Sequence, residues 1–144
     1  LGLNVELLER SFAAVAPKAD ELADVFYGHL FEDFPQVQPM FESVDMAEQK
    51  KKLVASLVVV VNNLRKGEVL VPTLEQLGCR HLDYGAQEEH YPAVGQTLLK
   101  SLAQVAGDAW SDELTQVWSD AYAVITEHML AGATKATPVE AAVS

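Results

Sequence analysis

The chain has four histidines, His29, His81, His90 and His128. In a helical protein most such rings are surface or partly buried, but His81 is set apart by its spacing. It lies seven residues after Leu74 and four after Leu77, so on a helix it shares their apolar face. An imidazole on an apolar stripe needs a partner to offset its burial. A haem iron is such a partner, and it takes a neutral imidazole. The Leu77 carbonyl, one turn earlier, is expected to accept a hydrogen bond from the other ring nitrogen and so fix the tautomer. Gly78 is expected to let a flat macrocycle approach the backbone. Cys79, two residues before His81 and roughly 200° away around a helix, is expected to point elsewhere as a small core residue.

Three further residues could face such a ligand. Gln49 stands four residues before Leu53 at the head of an apolar stripe, Tyr27 follows Phe26, and Phe41 ends a segment holding two prolines. Each also has a plain explanation, as an exposed glutamine, an interface tyrosine and a core phenylalanine. The run Lys50, Lys51, Lys52 reads equally as a solvated face or as a source of one cation for an anionic ligand group.

The elements that must carry these side chains are helical throughout. Apolar residues recur at intervals of three and four, and strict alternation is absent. A first helix is expected over Asn4–Ala16, and a second opens at Pro17 and stops before Pro35. PQVQPMF forms a short pinned helix or turn. Asp45 followed by Glu48 resembles a capping box and places a helix start at Met46. Its stripe of Leu53, Leu57, Val60 and Leu64 outweighs the strand propensity of the valines at 58–61. Gly67 and Pro72 bracket an expected connection, followed by a short helix from Thr73 to about Tyr84 and a stop at Gly85. The next helix is placed from about Gln87 to Ala106 with Val94, Leu98, Leu99, Leu102 and Val105 inside, and Gly107 closes it. Ser111 caps a last helix with Leu114, Val117, Trp118, Ala121 and Ile125 on its core face. From residue 134 the chain has little to pack and a disordered tail is expected. The expected fold is all-α, six to eight helices, in one domain over residues 1–133.

Bulk properties narrow the function. The 144 residues suit a single core, and 49% are hydrophobic. Ten Lys and Arg against 21 Asp and Glu give a net charge of −11, which disfavours nucleic acid and anionic membrane surfaces. One cysteine excludes an internal disulfide framework and a Cys-based metal cage, and fits a reducing cytoplasm. LGLNVELLERSF shows no secretory pattern, and the run LVASLVVVV is too short to span a bilayer.

Four segments in order carry a resemblance that covers roughly Asn4 to Ala131. FYGHLFEDFPQVQPMF resembles the B-to-CD segment of bacterial haemoglobins and flavohaemoglobin globin domains. LGCRHLDYG resembles their proximal helix, HYPAVGQTLL their G helix and VWSDAYAVI their H helix. The resemblance implies a globin fold around one haem b, with His81 as iron ligand. It implies that Phe41 wedges against the haem plane, that Tyr27 and Gln49 are the distal pair, and that Leu53 lies beside Gln49 over the iron. Lys52 becomes a candidate partner for a haem propionate. Tyr91 matches a tyrosine near the proximal histidine, while Leu77 and Val94 complete the expected haem contacts. One departure stands out: the family's helix-H glutamate falls on Ala133, and Glu127 lies elsewhere on the helix. No G-x-G-x-x-G motif of a reductase appears within the 144 residues.

The expected activity is oxygen binding or transport, with carbon monoxide and nitric oxide as further ligands. Oxidation of nitric oxide to nitrate is expected if a reductase partner supplies electrons. The alternative is a gas-sensing domain that signals to a partner or an output domain. A haem-free interaction module would leave His81, Tyr27 and Gln49 unexplained together, and a peroxidase role lacks a distal histidine or arginine near Gln49.

Overall fold

A computed structural model describes residues 3–83 and 88–143, with side chains at 82–83 and from 135 onward outside the description. Six α-helices follow in order: α1 (Val5–Val15), α2 (Ala19–Asp33), α3 (Met46–Asn62), α4 (Gly67–Asp83), α5 (His90–Ala106) and α6 (Asp112–Val143). Three short 3₁₀ segments join them, and no strand occurs among the described residues. The all-α expectation is therefore met.

Local chemistry sets most of the boundaries. The Asn4 side chain caps α1 by accepting from the Leu7 amide at 3.2 Å. Phe34 precedes Pro35, a position biased toward extended backbone, and α2 stops one residue before it. The segment Pro35–Phe41 then forms a 3₁₀ helix. Asp45 Oδ1 accepts from the amides of Ala47 at 3.0 Å and Glu48 at 3.4 Å, so α3 opens at Met46 as its capping sequence predicts. Gly107 ends α5 at φ +60°, a conformation that favours glycine. Ser111 Oγ accepts from the Leu114 amide at 3.3 Å as α6 begins.

One element differs from its expectation. Gly67 and Pro72 do not bracket a loop; they lie in the first turns of α4. Pro72 removes a single backbone donor there. Leu70 and Leu74, at 1% and 0% exposure on either side of it, bury one continuous face and keep the helix going. The stop expected at Tyr84 and Gly85, and the start at Gln87, lie outside the described residues. The backbone of α6 is helical through Val143, and its side chains are described as far as residue 134, where the tail is expected to begin.

The core joins Leu8, Phe12 and Val15 of α1 to Leu22, Phe26 and Leu30 of α2, and to Leu98 and Leu102 of α5. Trp118 and Met129 of α6 complete it. Trp118 donates from Nε1 to Ser11 Oγ at 2.9 Å, which satisfies its one polar atom in the core. Helix α4 packs mainly along α6, whereas α3 leans on α2 and α1. Contact between α3 and α4 is at most marginal.

Candidate functional site in the cleft between α3 and α4

The α3 stripe changes character along its length. Val60, and Leu64 just past the helix end, are buried in the core, while Leu53 and Leu57 toward the N-terminal end are only partly covered. Gln49 continues this stripe in the first turn, where the Asp45 cap holds the backbone. Its Nε2 donates to Tyr27 Oη at 3.1 Å, joining residues 22 apart in sequence and on different helices.

Tyr27 is 5% exposed and set in an aromatic wall. Its ring meets Phe26 edge-on at 4.9 Å between centroids and Phe41 at 5.8 Å, while Phe31 meets Phe41 at 5.4 Å. Burial pushes the Tyr27 phenol above its ordinary pKa, and the hydrogen bond from Gln49 opposes that rise. The phenol is thus a neutral donor at physiological pH. Since Oη accepts from Gln49, its own proton remains available to a ligand.

His81 is half-buried on α4, and Nδ1 lies 2.8 Å from the Leu77 carbonyl. A carbonyl only accepts, so Nδ1 carries the proton and Nε2 carries the lone pair of the neutral ring. This is the expected tautomer lock. Gly78 departs from its expectation: its open side faces the backbone of Met129 on α6 and not a macrocycle. Cys79 is a free, partly buried thiol.

The remaining residues fall into two groups. Phe41, Leu53, Leu77 and Val94 are apolar and partly covered, each on a different element and packed against the core. Lys50 pairs with Asp24 at 3.0 Å and Lys51 with Glu48 at 3.4 Å. Lys52 is exposed with no ion pair among the described residues. Tyr91 sits in the α5–α6 packing, where its carbonyl accepts from Tyr122 Oη at 2.7 Å. Gly95 makes room for the Tyr122 ring, and burial drives the Tyr122 phenol far above its usual range. Glu127 is exposed on the edge of a groove of about 420 Å³ beside Tyr91 and Tyr122.

A six-helix fold with a histidine of locked tautomer on α4 and a tyrosine–glutamine pair joining α2 to α3 has the ingredients of a haem pocket. The donor set suits the group: one neutral nitrogen, partly covered apolar side chains and an exposed cation. Comparison with known proteins places the chain more firmly. The Globin family profile matches residues 24–129, and the chain belongs to the globin family. Flavohemoproteins of Bacillus subtilis and Bacillus cereus are 26% and 29% identical to it over 126 residues, 86% of the chain. The chain spans about a third of their length, at 32% and 31% respectively. The fold is shared with an engineered carbene transferase from Rhodothermus marinus, at TM-score 0.84, 23% identity and 95% coverage of both chains. It is also shared with a bacterial globin from Campylobacter jejuni, at TM-score 0.81 and 24% identity, covering 93% of this chain and 96% of that one. Haem binding, and haem-based binding of diatomic gases, follow from this membership.

Sequence reasoning missed Gly132, whose open side faces the backbone of Glu75. The available signal was a glycine inside an otherwise good helix, which costs about 1 kcal/mol relative to alanine and calls for a packing reason.

Proposed function

We propose that the chain holds haem b through His81 Nε2 and binds oxygen tightly, and that it converts nitric oxide to nitrate when a reductase partner supplies electrons. The observation that carries this reading is the 3.1 Å hydrogen bond from Gln49 to Tyr27, which joins two polar side chains from different helices. Covalent haem attachment needs a C-x-x-C-H motif, and a chain with one cysteine has none, which supports the b type. The single cysteine also suits a protein working in the cytoplasm.

When bound, haem would supply a ferrous iron that takes a diatomic gas, with dioxygen and one electron from the reductase as the reagents that turn nitric oxide into nitrate. The protein would supply everything around it. The Leu77 carbonyl would hold the His81 ring with Nε2 unprotonated and able to bind the metal. Phe41 and Leu53 would give the bound gas apolar neighbours that exclude water. Tyr27 would donate its phenolic proton to the gas, and Gln49 would fix the direction of that donation. Lys52 would pair with a propionate.

The test is stopped-flow mixing of the oxygenated protein with nitric oxide, followed by nitrate analysis. One nitrate per haem, with conversion to the ferric spectrum, is expected. Loss of oxygen without nitrate would remove the dioxygenation reading and leave gas binding alone.

A further inference from the structure

Two glycines face each other's helix across the α4–α6 crossing. A Cβ on Gly78 would lie 2.7 Å from Cα of Met129 and nearer still to its carbonyl. A Cβ on Gly132 would run into Cα, C and O of Glu75. The contact is reciprocal: residues 75 and 78 on α4 meet 132 and 129 on α6, one turn on each helix, running in opposite directions. In both cases the obstacle is backbone, which cannot swing aside as a side chain does. Glycine is unfavourable inside a helix, so two at facing positions point to a required close approach.

This crossing controls more than packing. Helix α4 takes its main support from α6 and at most marginal contact from α3. His81 follows Gly78 by one turn, and its ring is tied to the Leu77 carbonyl in the same stretch of helix. Any outward shift of the 75–78 turn from α6 therefore moves the His81 backbone and its ring with it. At residue 133, beside Gly132, α6 presents an alanine and so no carboxylate.

We propose that Gly78 and Gly132 are positioning residues for His81, setting through the backbone contact of α4 with α6 where the stretch of helix that carries the imidazole stands. The inference rests on His81 being the iron ligand. Adding one methyl group at either glycine forces the helices apart by on the order of 1 Å, within the range that side chains impose on helix separations. The imidazole is then displaced with its helix, which alters the iron–nitrogen bond.

The experiment is resonance Raman spectroscopy of the ferrous, gas-free holoprotein, read at the iron–histidine stretch. Gly78→Ala and Gly132→Ala are each expected to displace this band. The double variant is expected to displace it by less than the sum, because helices already parted leave room for the second methyl. Gly28→Ala, on an exposed part of α2 with open space around it, is the control and leaves the band in place. An unaltered band in both single variants, or a fully additive double variant, overturns the proposal. His81→Gly separates the two layers of the argument: a band that persists in it without added imidazole discards the ligand assignment itself. Should an alanine variant fail to take up haem, NMR of the wild-type carbon monoxide form decides. Proton contacts between Gly132 and Glu75 Hα, and between Gly78 and Met129 Hα, are expected, and their absence overturns the proposal.

Discussion

Replacing Tyr27 by phenylalanine isolates the distal hydroxyl. The ring is 5% exposed and held edge-on by Phe26 and Phe41, so the phenylalanine ring keeps its place and only Oη is lost. Gases differ in how much negative charge they gain in the pocket, and oxygen gains more than carbon monoxide. A hydrogen bond to such a charged acceptor is worth about 1.5–3 kcal/mol. At 1.4 kcal/mol per decade, Tyr27→Phe should speed oxygen release about 10- to 150-fold. Carbon monoxide release should change far less. Gln49 also loses its acceptor, so the effects of Tyr27→Phe and Gln49→Leu should be non-additive in a double-mutant cycle. Stopped-flow displacement of oxygen by excess carbon monoxide measures the rate directly. An oxygen off-rate within about twofold of the parent, well below the range set by one charge-assisted bond, would refute the reasoning. Equal acceleration for both gases would also refute it, since that points to altered access and not to a lost donor.

Three further outcomes follow from the same geometry. Tyr27, Tyr91 and Tyr122 all have phenol pKa values raised by burial, so the folded protein holds these protons longer than the unfolded chain does. Their contribution to stability is complete below the unfolded value near pH 10 and is lost as pH rises beyond it. The tyrosinate absorbance of these three should therefore rise together with loss of helical circular dichroism, and ionisation of more than one of the four tyrosines near pH 10 with the fold intact would contradict this. Asp45→Ala removes the α3 cap, should cost about 1 kcal/mol in a denaturant titration, and should loosen the first turn that carries Gln49. Lys52→Glu should accelerate haem transfer to an apoprotein acceptor by up to about fivefold, the scale of an exposed ion pair, whereas Lys51→Glu, at a residue already paired within its own helix, should act less.

What the linear chain determined is whatever depends on neighbours within a turn or two. The Asp45 cap starts α3, the Phe34–Pro35 step ends α2, Gly107 closes α5, and the Leu77 carbonyl receives His81 Nδ1. Each follows from 3.6-residue geometry and the fixed reach of one side chain. The resemblance to bacterial haemoglobins named a candidate haem pocket. Tertiary structure decided what depends on distant partners. It brought Gln49 to Tyr27, divided one apolar stripe into a buried half at Val60 and Leu64 and a partly covered half at Leu53 and Leu57, and carried α4 through Gly67 and Pro72. It also turned Gly78 toward Met129 and gave Gly132 its place against Glu75. Periodicity reports which face of a helix is apolar but not which neighbour covers it, because that choice is made by packing the whole chain at once.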